Sequence, residues 1–346
     1  MRILAFETSC DETGIALVSG EKSGDGFVFK TEHAALLSQA ALHAEYGGVY
    51  PNLAKREHEK NLPILYREFA DMPCDAVAVT VGPGLEPALW QGVGFAKRVA
   101  AERGVPLLPI NHMEAHLISS LAQSNVLQNV RMSVLALLIS GGHTEFVHMP
   151  EWFSYKIIGQ TLDDAAGECF DKVARMLGLK YPGGPEISRI AKTAKSKSTI
   201  ALPRPMLSSG TCDVSFSGLK TAALYALRDR GGIQTLSADE IAAFAAEFEE
   251  AVGDVFVHKT RAALEQTGAQ TFVIGGGVAA NTYLRERLQK LVSEEFSDVE
   301  FRLPDPAITG DNAVMIAQCA LARALSGKND ISPIDLKAVG NLSIAS

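Results

Sequence analysis

The chain is poor in cysteine and shows no pairing pattern: Cys10, Cys74, Cys169, Cys212 and Cys319 are odd in number, far apart and form no CxxC. Such a set excludes a disulfide framework and a zinc knuckle, and a reducing cytosol is the expected setting. Long apolar runs are missing too. The N-terminal MRILAFETSCDE offers one short apolar stretch before polar and acidic residues, too little for the core of a secretion signal. The longest run, near Val134 to Ile139, falls well short of the roughly 18 residues of a membrane helix. Neither export nor membrane insertion is expected. Positive charge is scarce overall, with 32 Lys and Arg against 40 Asp and Glu for a net −8, which argues against sequence-blind capture of nucleic acid. Local exceptions remain at Lys192, Lys195 and Lys197 before Arg204, and at Arg285, Arg287 and Lys290 on one expected helix. Solvated helix faces are the plainer explanation of each such cluster, so charge alone does not name a partner.

What is present is an ordinary globular composition, 47% hydrophobic and 21% charged over 346 residues. That length is large for a single core and predicts two lobes. Strand and helix signals alternate throughout, the pattern of an α/β protein. Ile3–Phe6 and Ile15–Val18 read as strands around a polar turn. Ala76–Val81 reads as a buried strand, followed by the loop GPGLEP and a helix to about Arg103, then a strand at Val105–Ile110 and a helix from about Asn111. Later helices are expected at Asp163–Leu177, Phe216–Arg228, Ala238–Gln266 and Asp311–Leu325. ILAFETSCDETGIALV (Ile3 to Val18) is echoed by VLALLISGGHTEFVHM (Val134 to Met149) at an offset of about 131 residues. The echo predicts two lobes of related build, and the lack of a low-complexity linker predicts lobes joined tightly around a cleft.

His112 and His116 in NHMEAH are four residues apart, so a helix projects both imidazoles from one face, as a metal site needs. Two histidines satisfied by hydrogen bonds are the alternative. A zinc-protease HExxH is not matched, since Met113 stands where its glutamate belongs, and neither is HxxEH. A carboxylate is the natural third ligand, and Asp311 at an expected helix start is the candidate, a plain N-cap being its other explanation. Ser140-Gly141-Gly142 follows a strand and can bring backbone N–H groups close to an anion. Gly275-Gly276-Gly277 reads as a strand, a turn and a helix start with the same capacity. GGGVAA also fits a loose dinucleotide fingerprint, but its acidic partner is not at a strand end, and the P-loop GxxxxGK[ST] is absent. Asp11 and Glu12 lie at the turn between the first two strands, where they can hold a metal, orient a phosphate or act as a base, or simply be solvated. Asp171 lies on a helical segment, where a local ion pair is the plainer explanation.

FETSCDETGIAL, YGGVYP, GPGLEPAL with QGVGFAK, NHMEAH, LLISGGHTEF, DDAAGECFDKVARMLGL, YPGGPEI, VSFSGLKTA, GGGVAAN and TGDNAVMIA together resemble, in this order and spacing, the universal TsaD family of tRNA threonylcarbamoyladenosine transferases. The resemblance covers about residues 1 to 325. It implies a two-lobed duplicated actin/Hsp70/sugar-kinase-like (ASKHA) α/β fold with the active site in the interlobe cleft. The implied lobes are residues 1–110 with a return helix near 310–325, and 111–310 with a helical insertion at about 160–235. It implies a metal, Fe(2+) with Zn(2+) as the alternative, on His112, His116 and Asp311. It implies threonylcarbamoyladenylate against Leu138, Ile139, Ser140, Gly141 and Gly142, with Asp171, Gly184 and Asn281 completing the pocket. The implied reaction moves the threonylcarbamoyl group to N6 of the adenosine following the anticodon, in tRNAs reading codons that begin with adenine, and releases AMP. Asp11 or Glu12 is the candidate proton acceptor. Implied partners are tRNA, a catalytically inert paralogue resembling TsaB and a small ATPase resembling TsaE. One departure is visible: Asn52-Leu53-Ala54-Lys55 follows YGGVYP where the family usually has a Glu and a small residue.

Overall fold

A buried hairpin opens each half of the chain. In the computed structural model, which describes residues 1–304, 309–328 and 336–345, two compact units separate: Met1–Val130 with Arg302–Ser346, and Arg131–Phe301. The first carries strands β1 (Arg2–Glu7), β2 (Glu12–Ser23), β3 (Gly26–Ser38), β4 (Ala76–Gly82), β5 (Leu107–Asn111) and β6 (Val126–Leu127). Its helices are α1 (Ala40–Ala44), α2 (Pro51–Tyr66), α3 (Glu86–Arg103) and α4 (His112–Leu121). The second unit carries β7 (Val134–Ile139), β8 (Thr144–Met149), β9 (Lys156–Gln160), β10 (Thr271–Gly275) and β11 (Glu300–Arg302). Around them lie α5 (Ala166–Met176), α6 (Gly183–Ala191), α7 (Ser217–Asp229), α8 (Ala238–Thr267) and α9 (Thr282–Glu295). Helix α10 (Ala313–Leu325) returns to the first unit. The sequence reading draws the lobe boundary at 110, and the contacts draw it at 130, so α4 lies in the first unit.

The first sheet runs β5-β4-β1-β2-β3-β6 and the second β11-β10-β7-β8-β9. In each, the opening hairpin is antiparallel and its first strand also pairs in parallel with a later one, β1 with β4 and β7 with β10. The internal echo is a register identity. Ile3 pairs with Val18 and Glu7 with Gly14 in the first hairpin, and the residues at the same offset, Val134 with Met149 and Leu138 with Glu145, pair in the second. Strands β4 and β7 are buried along their whole length, as central strands between helical layers must be. Their loops therefore emerge at the carboxyl ends of the parallel strands, the edge at which open α/β sheets bind ligands.

Several boundaries differ from the sequence reading. Helix α5 begins at Ala166 rather than Asp163, because the Asp163 carboxylate accepts from the backbone N–H groups of Phe216 and Ser217 at 2.8 and 3.1 Å and is spent on another segment. Gly277–Ala280 forms a 3-10 turn, and α9 starts only at Thr282, so the triple glycine does not sit at that helix's N-terminus. Residues 336–345, beyond the recognised motifs, brace the first unit: Val339 N donates to Val81 O at 2.8 Å, Gly84 N to Gly340 O at 3.0 Å and Asn111 Nδ2 to Ser343 O at 3.1 Å.

Helix α3 crosses the end of β1 so closely that a Cβ on Gly92 would lie 2.3 Å from Thr8 Oγ1, whereas one on Gly94 meets nothing within 4 Å. Gly92→Ala should therefore destabilise the protein by about 1–3 kcal/mol through overpacking. Gly94→Ala in the same helix should stabilise it by about 0.5–1 kcal/mol through reduced unfolded-state entropy. Denaturant unfolding of the two variants checks both signs.

Candidate functional site

Strand β5 ends at Asn111, whose side-chain carbonyl accepts from Met113 N and Glu114 N at 2.9 and 3.2 Å. This N-cap starts α4 at His112 and fixes the phase of the helix. The spacing of four then stacks His112 and His116 on one face, with ring centroids 4.6 Å apart at 87°. Every residue of α4 is buried. Asp311 enters from the chain just before α10. Asn312, not Asp311, is that helix's N-cap, accepting from Met315 N at 3.1 Å. The Asp311 carboxylate is thereby left to the histidines.

His112 Nε2 and His116 Nε2 are 3.2 Å apart, and both face Asp311 Oδ1, at 3.4 and 3.1 Å respectively. Two imidazole nitrogens aimed at each other can share only one proton. A divalent cation about 2.0–2.2 Å from each donor would space neighbouring donors about 3.0–3.4 Å apart. The triangle has those edges. His112, His116 and Asp311 thus form a group able to hold a metal, with two imidazoles and a carboxylate on one side of the centre.

The electrostatics follow from burial. Burial disfavours charge on His112, but the Asp311 and Glu7 carboxylates outweigh it and raise its pKa to about 10. Burial would raise Asp311, yet the two histidines hold it well below the usual carboxylate range. His116 is pushed down by burial. Asp11 and Glu12 lie in the adjoining β1–β2 turn. Asp11 is 6% exposed, its carbonyl held by Gln39 N at 2.9 Å. Glu12 opens β2, with Ser38 Oγ donating to its Oε1 at 3.3 Å. Burial, Asp311 and Asp11 push Glu12 up to about 9, so it is a carboxylic acid at neutral pH.

Two functional candidates are not singled out from the sequence, although Glu7 lies within FETSCDETGIAL. Glu7, at the end of β1, is fully buried and contacts His112 Nδ1 at 3.2 Å. The available signal was an acidic residue closing an otherwise apolar strand, since a buried charge demands a partner. His58, on α2, meets Thr13 Oγ1 through Nδ1 at 2.8 Å and Cys10 O through Nε2 at 2.9 Å. It thereby fixes the turn that carries Asp11. Ala54 faces inward beside His58, while Asn52 and Lys55 of the departing segment are exposed.

The expected nucleotide contacts all fall in the second unit. Leu138 and Ile139 end β7, and the following turn closes with Ser140 N donating to His143 O at 2.8 Å and His143 N to Ser140 Oγ at 3.0 Å. A Cβ on Gly141 or Gly142 would meet nothing within 4 Å, so open space lies before them. Behind them the packing is tight: a Cβ on Gly167 would lie 2.6 Å from Ser140 O, and one on Gly276 2.4 Å from Ile139 O. Gly167 thus lets the N-terminus of α5, which has no side-chain cap, press against the turn, an arrangement that favours an anion. Asp171 Oδ1 accepts from Gly183 N at 2.7 Å at the start of α6, with Gly184 beside it. Asn281 caps α9 through Oδ1 to Leu284 N at 3.0 Å, and its Nδ2 donates to Ser188 Oγ at 3.1 Å and Glu249 Oε1 at 2.9 Å. Both of its N–H bonds are spent inside the unit.

In the metal-free protein the raised pKa keeps a proton on His112 at neutral pH, and an entering cation must displace it. Zinc affinity should therefore rise about tenfold per pH unit between about pH 7 and 9. Calorimetry in buffers of different ionisation enthalpy should record about one proton released per metal. A pH-independent affinity would contradict the assignment.

Comparison with known proteins adds the family. A family model described as TsaD, tRNA N6-adenosine threonylcarbamoyltransferase, matches residues 31–318. A protein of that name from Aromatoleum aromaticum is 42% identical over 334 residues, covering 95% of this chain and 93% of the relative. Another from Pelobacter propionicus is 43% identical over 324 residues, covering 92% and 90%. Among solved structures, HypF from T. kodakarensis aligns with TM-score 0.56 at 14% identity, over 94% of this chain and 48% of that one. A HypF structure in a phosphate- and nucleotide-bound form aligns at 0.55 and 14%, over 94% and 46%. These structural likenesses speak to the fold, the expected duplicated α/β ASKHA type. By sequence, the chain belongs to the TsaD family of tRNA N6-adenosine threonylcarbamoyltransferases and is a transferase.

Proposed function

We propose that the chain transfers the threonylcarbamoyl group of L-threonylcarbamoyladenylate to N6 of the adenosine following the anticodon, in tRNAs that read codons beginning with adenine, and releases AMP. The observation that carries this reading is the His112–His116–Asp311 triangle, two buried histidines and a partly buried carboxylate, in a chain of this family. These three residues would hold Fe(II), for which two histidines and one carboxylate with open positions are a suitable set, zinc being the other fit. When bound, the ion supplies Lewis-acid polarisation of a substrate oxygen.

The chain's own groups divide the remaining work. Backbone N–H groups of Gly141 and Gly142, in the turn that Ser140 closes, take the adenylate phosphate with the N-terminus of α5 and stabilise the charge that grows on it as AMP departs. Leu138 and Ile139 border the nucleotide, and Asp171 and Gly184 complete its pocket. Asn281 contributes by holding α6, α8 and α9 together, since its amide hydrogens are engaged there. N6 attacks the carbamoyl carbon, the bond from that carbon to the phosphate oxygen breaks, and N6 gives up a proton. Asp11 is the better acceptor of the two acidic turn residues, because Glu12 already carries a proton at neutral pH. Exposed Lys192, Lys195 and Lys197 after α6 offer phosphate contacts to tRNA. Partners resembling the TsaB paralogue and the TsaE ATPase belong to the same proposal.

Incubation of the chain and such partners with unmodified tRNA, threonine, bicarbonate and ATP, followed by nucleoside mass spectrometry, should yield threonylcarbamoyladenosine. His116→Ala should lose at least about a hundredfold of that rate. No product from the wild type when the adenylate is supplied directly, or full product from His116→Ala, sinks the reading. The glycine turns give a second check. Gly141→Ala should leave the melting temperature unchanged and raise the KM for the adenylate, because its Cβ enters open space. Gly276→Ala, at φ +86° and against Ile139 O, should instead cost about 1–3 kcal/mol of stability.

A further inference from the structure

Glu7 is a buried carboxylate for which the proposed reaction has no use. It closes β1 and is 0% exposed. Its oxygens face donors. Ser9 N donates to Oε1 at 2.5 Å. The hydroxyl of Thr80, on the neighbouring strand β4, donates to Oε2 at 2.5 Å. His112 Nδ1 lies 3.2 Å from the same oxygen. A carboxylate with both oxygens committed as acceptors leaves His112 Nδ1 one role, that of an N–H donor. The Ser9 hydroxyl, 3.2 Å from Nδ1, can add a second acceptor. Nε2, the nitrogen that faces His116 and Asp311, is then the one that gives up its proton and offers the lone pair to a metal.

We infer that Glu7 is a positioning residue for the metal centre: it fixes the Nε2-ligating tautomer and ring orientation of His112 and supplies the second negative charge of the site. The inference rests on the metal reading of the triangle and deepens it. Charge makes the second half of the case. Asp311 alone would leave a buried dication with a net positive charge, whereas Asp311 and Glu7 together balance it, and an unbalanced buried charge is costly. An outer carboxylate on a ligating histidine raises the basicity of the imidazole, and removing one typically weakens metal binding by roughly 10- to 100-fold. Gln is the informative replacement. It keeps the shape, but its NH2 must turn toward a donor at one of the two oxygen positions, so either the Ser9 contact or the shared Thr80 and His112 contact is lost.

The test is a zinc and cobalt titration of the purified full chain by equilibrium dialysis with elemental analysis, with the visible spectrum of the cobalt form as a report on the ligand set. Glu7→Gln should bind the same number of metals, with a similar cobalt spectrum, roughly 10- to 100-fold more weakly. His116→Ala should lose binding outright. Unchanged affinity in Glu7→Gln, with its metal-free melting temperature lowered, would mean that Glu7 only supports the fold, and would overturn the inference while leaving the metal reading intact. A wild type that takes up no metal overturns both. Nitrogen-15 NMR of the zinc-loaded wild type needs no variant to fold: His112 protonated at Nδ1 and zinc-bound at Nε2 supports the inference, and the opposite tautomer sinks it.

Discussion

The burial of ionisable side chains at the carboxyl edge of the first sheet is the constraint from which the rest of the centre follows. A carboxylate at the end of β1 is taken wholly from water and another before α10 largely so, which is tolerable only if each meets donors or opposite charge. Glu7 finds Ser9, Thr80 and His112, and Asp311 finds both histidines. These contacts tie together segments remote in sequence: the first strand, β4, α4 and the approach to α10. Neighbouring histidines extend the network without adding charge. Burial pushes His58 and His43 down, keeping them neutral. Gln39 meets the Nε2 of His43 at 3.1 Å, and His58 donates to the Cys10 carbonyl.

Legibility in the sequence depended on whether a signal was local. The spacing of His112 and His116 needs one helical turn to become geometry, and Asn111 before it is a visible cap. The hairpin echo was legible because two consecutive strands and their turn recur with the same polarity, and the register repeats residue for residue. Asp311 was ambiguous as an isolated residue, and the cap chemistry of Asn312 resolves it. Glu7 was hidden because its partners are distant in sequence, 73 residues away at Thr80 and 105 at His112. Long-range pairing of this kind leaves no periodicity to read.

Glycine marks two different requirements in the second unit, and motif reading cannot separate them. Gly167 and Gly276 are glycine because protein backbone stands where a side chain would be. Gly141 and Gly142 have open space there instead. The first pair serves packing and holds the turn in place. The second pair leaves room, and room near a helix N-terminus whose N-cap residue, Ala165, has no side-chain acceptor suits an anionic ligand. Asn281 makes a related point. Its position in GGGVAAN suggests a ligand contact, but its side chain is engaged with Leu284, Ser188 and Glu249. What its side chain does within the unit is tie α6, α8 and the start of α9 together.

The repeated hairpin shows how one scaffold yields two chemistries. At matching register, Glu7 of β1 corresponds to Leu138 of β7, Ser9 to Ser140, Asp11 to Gly142 and Thr13 to Thr144. The serines and threonines keep structural tasks in both copies: Ser140 closes its turn with His143, and Thr144 Oγ1 accepts from Ala166 N at 3.0 Å. Thr13 likewise anchors to His58. Between these fixed points the copies diverge in charge. The first turn gathers carboxylates beside imidazoles and suits a cation, while the second replaces acid with glycine and presents backbone to an anion. The duplicated strand–turn–strand thus yields, within each unit separately, a cation-suited or an anion-suited turn by changing the residues between the shared serine and threonine.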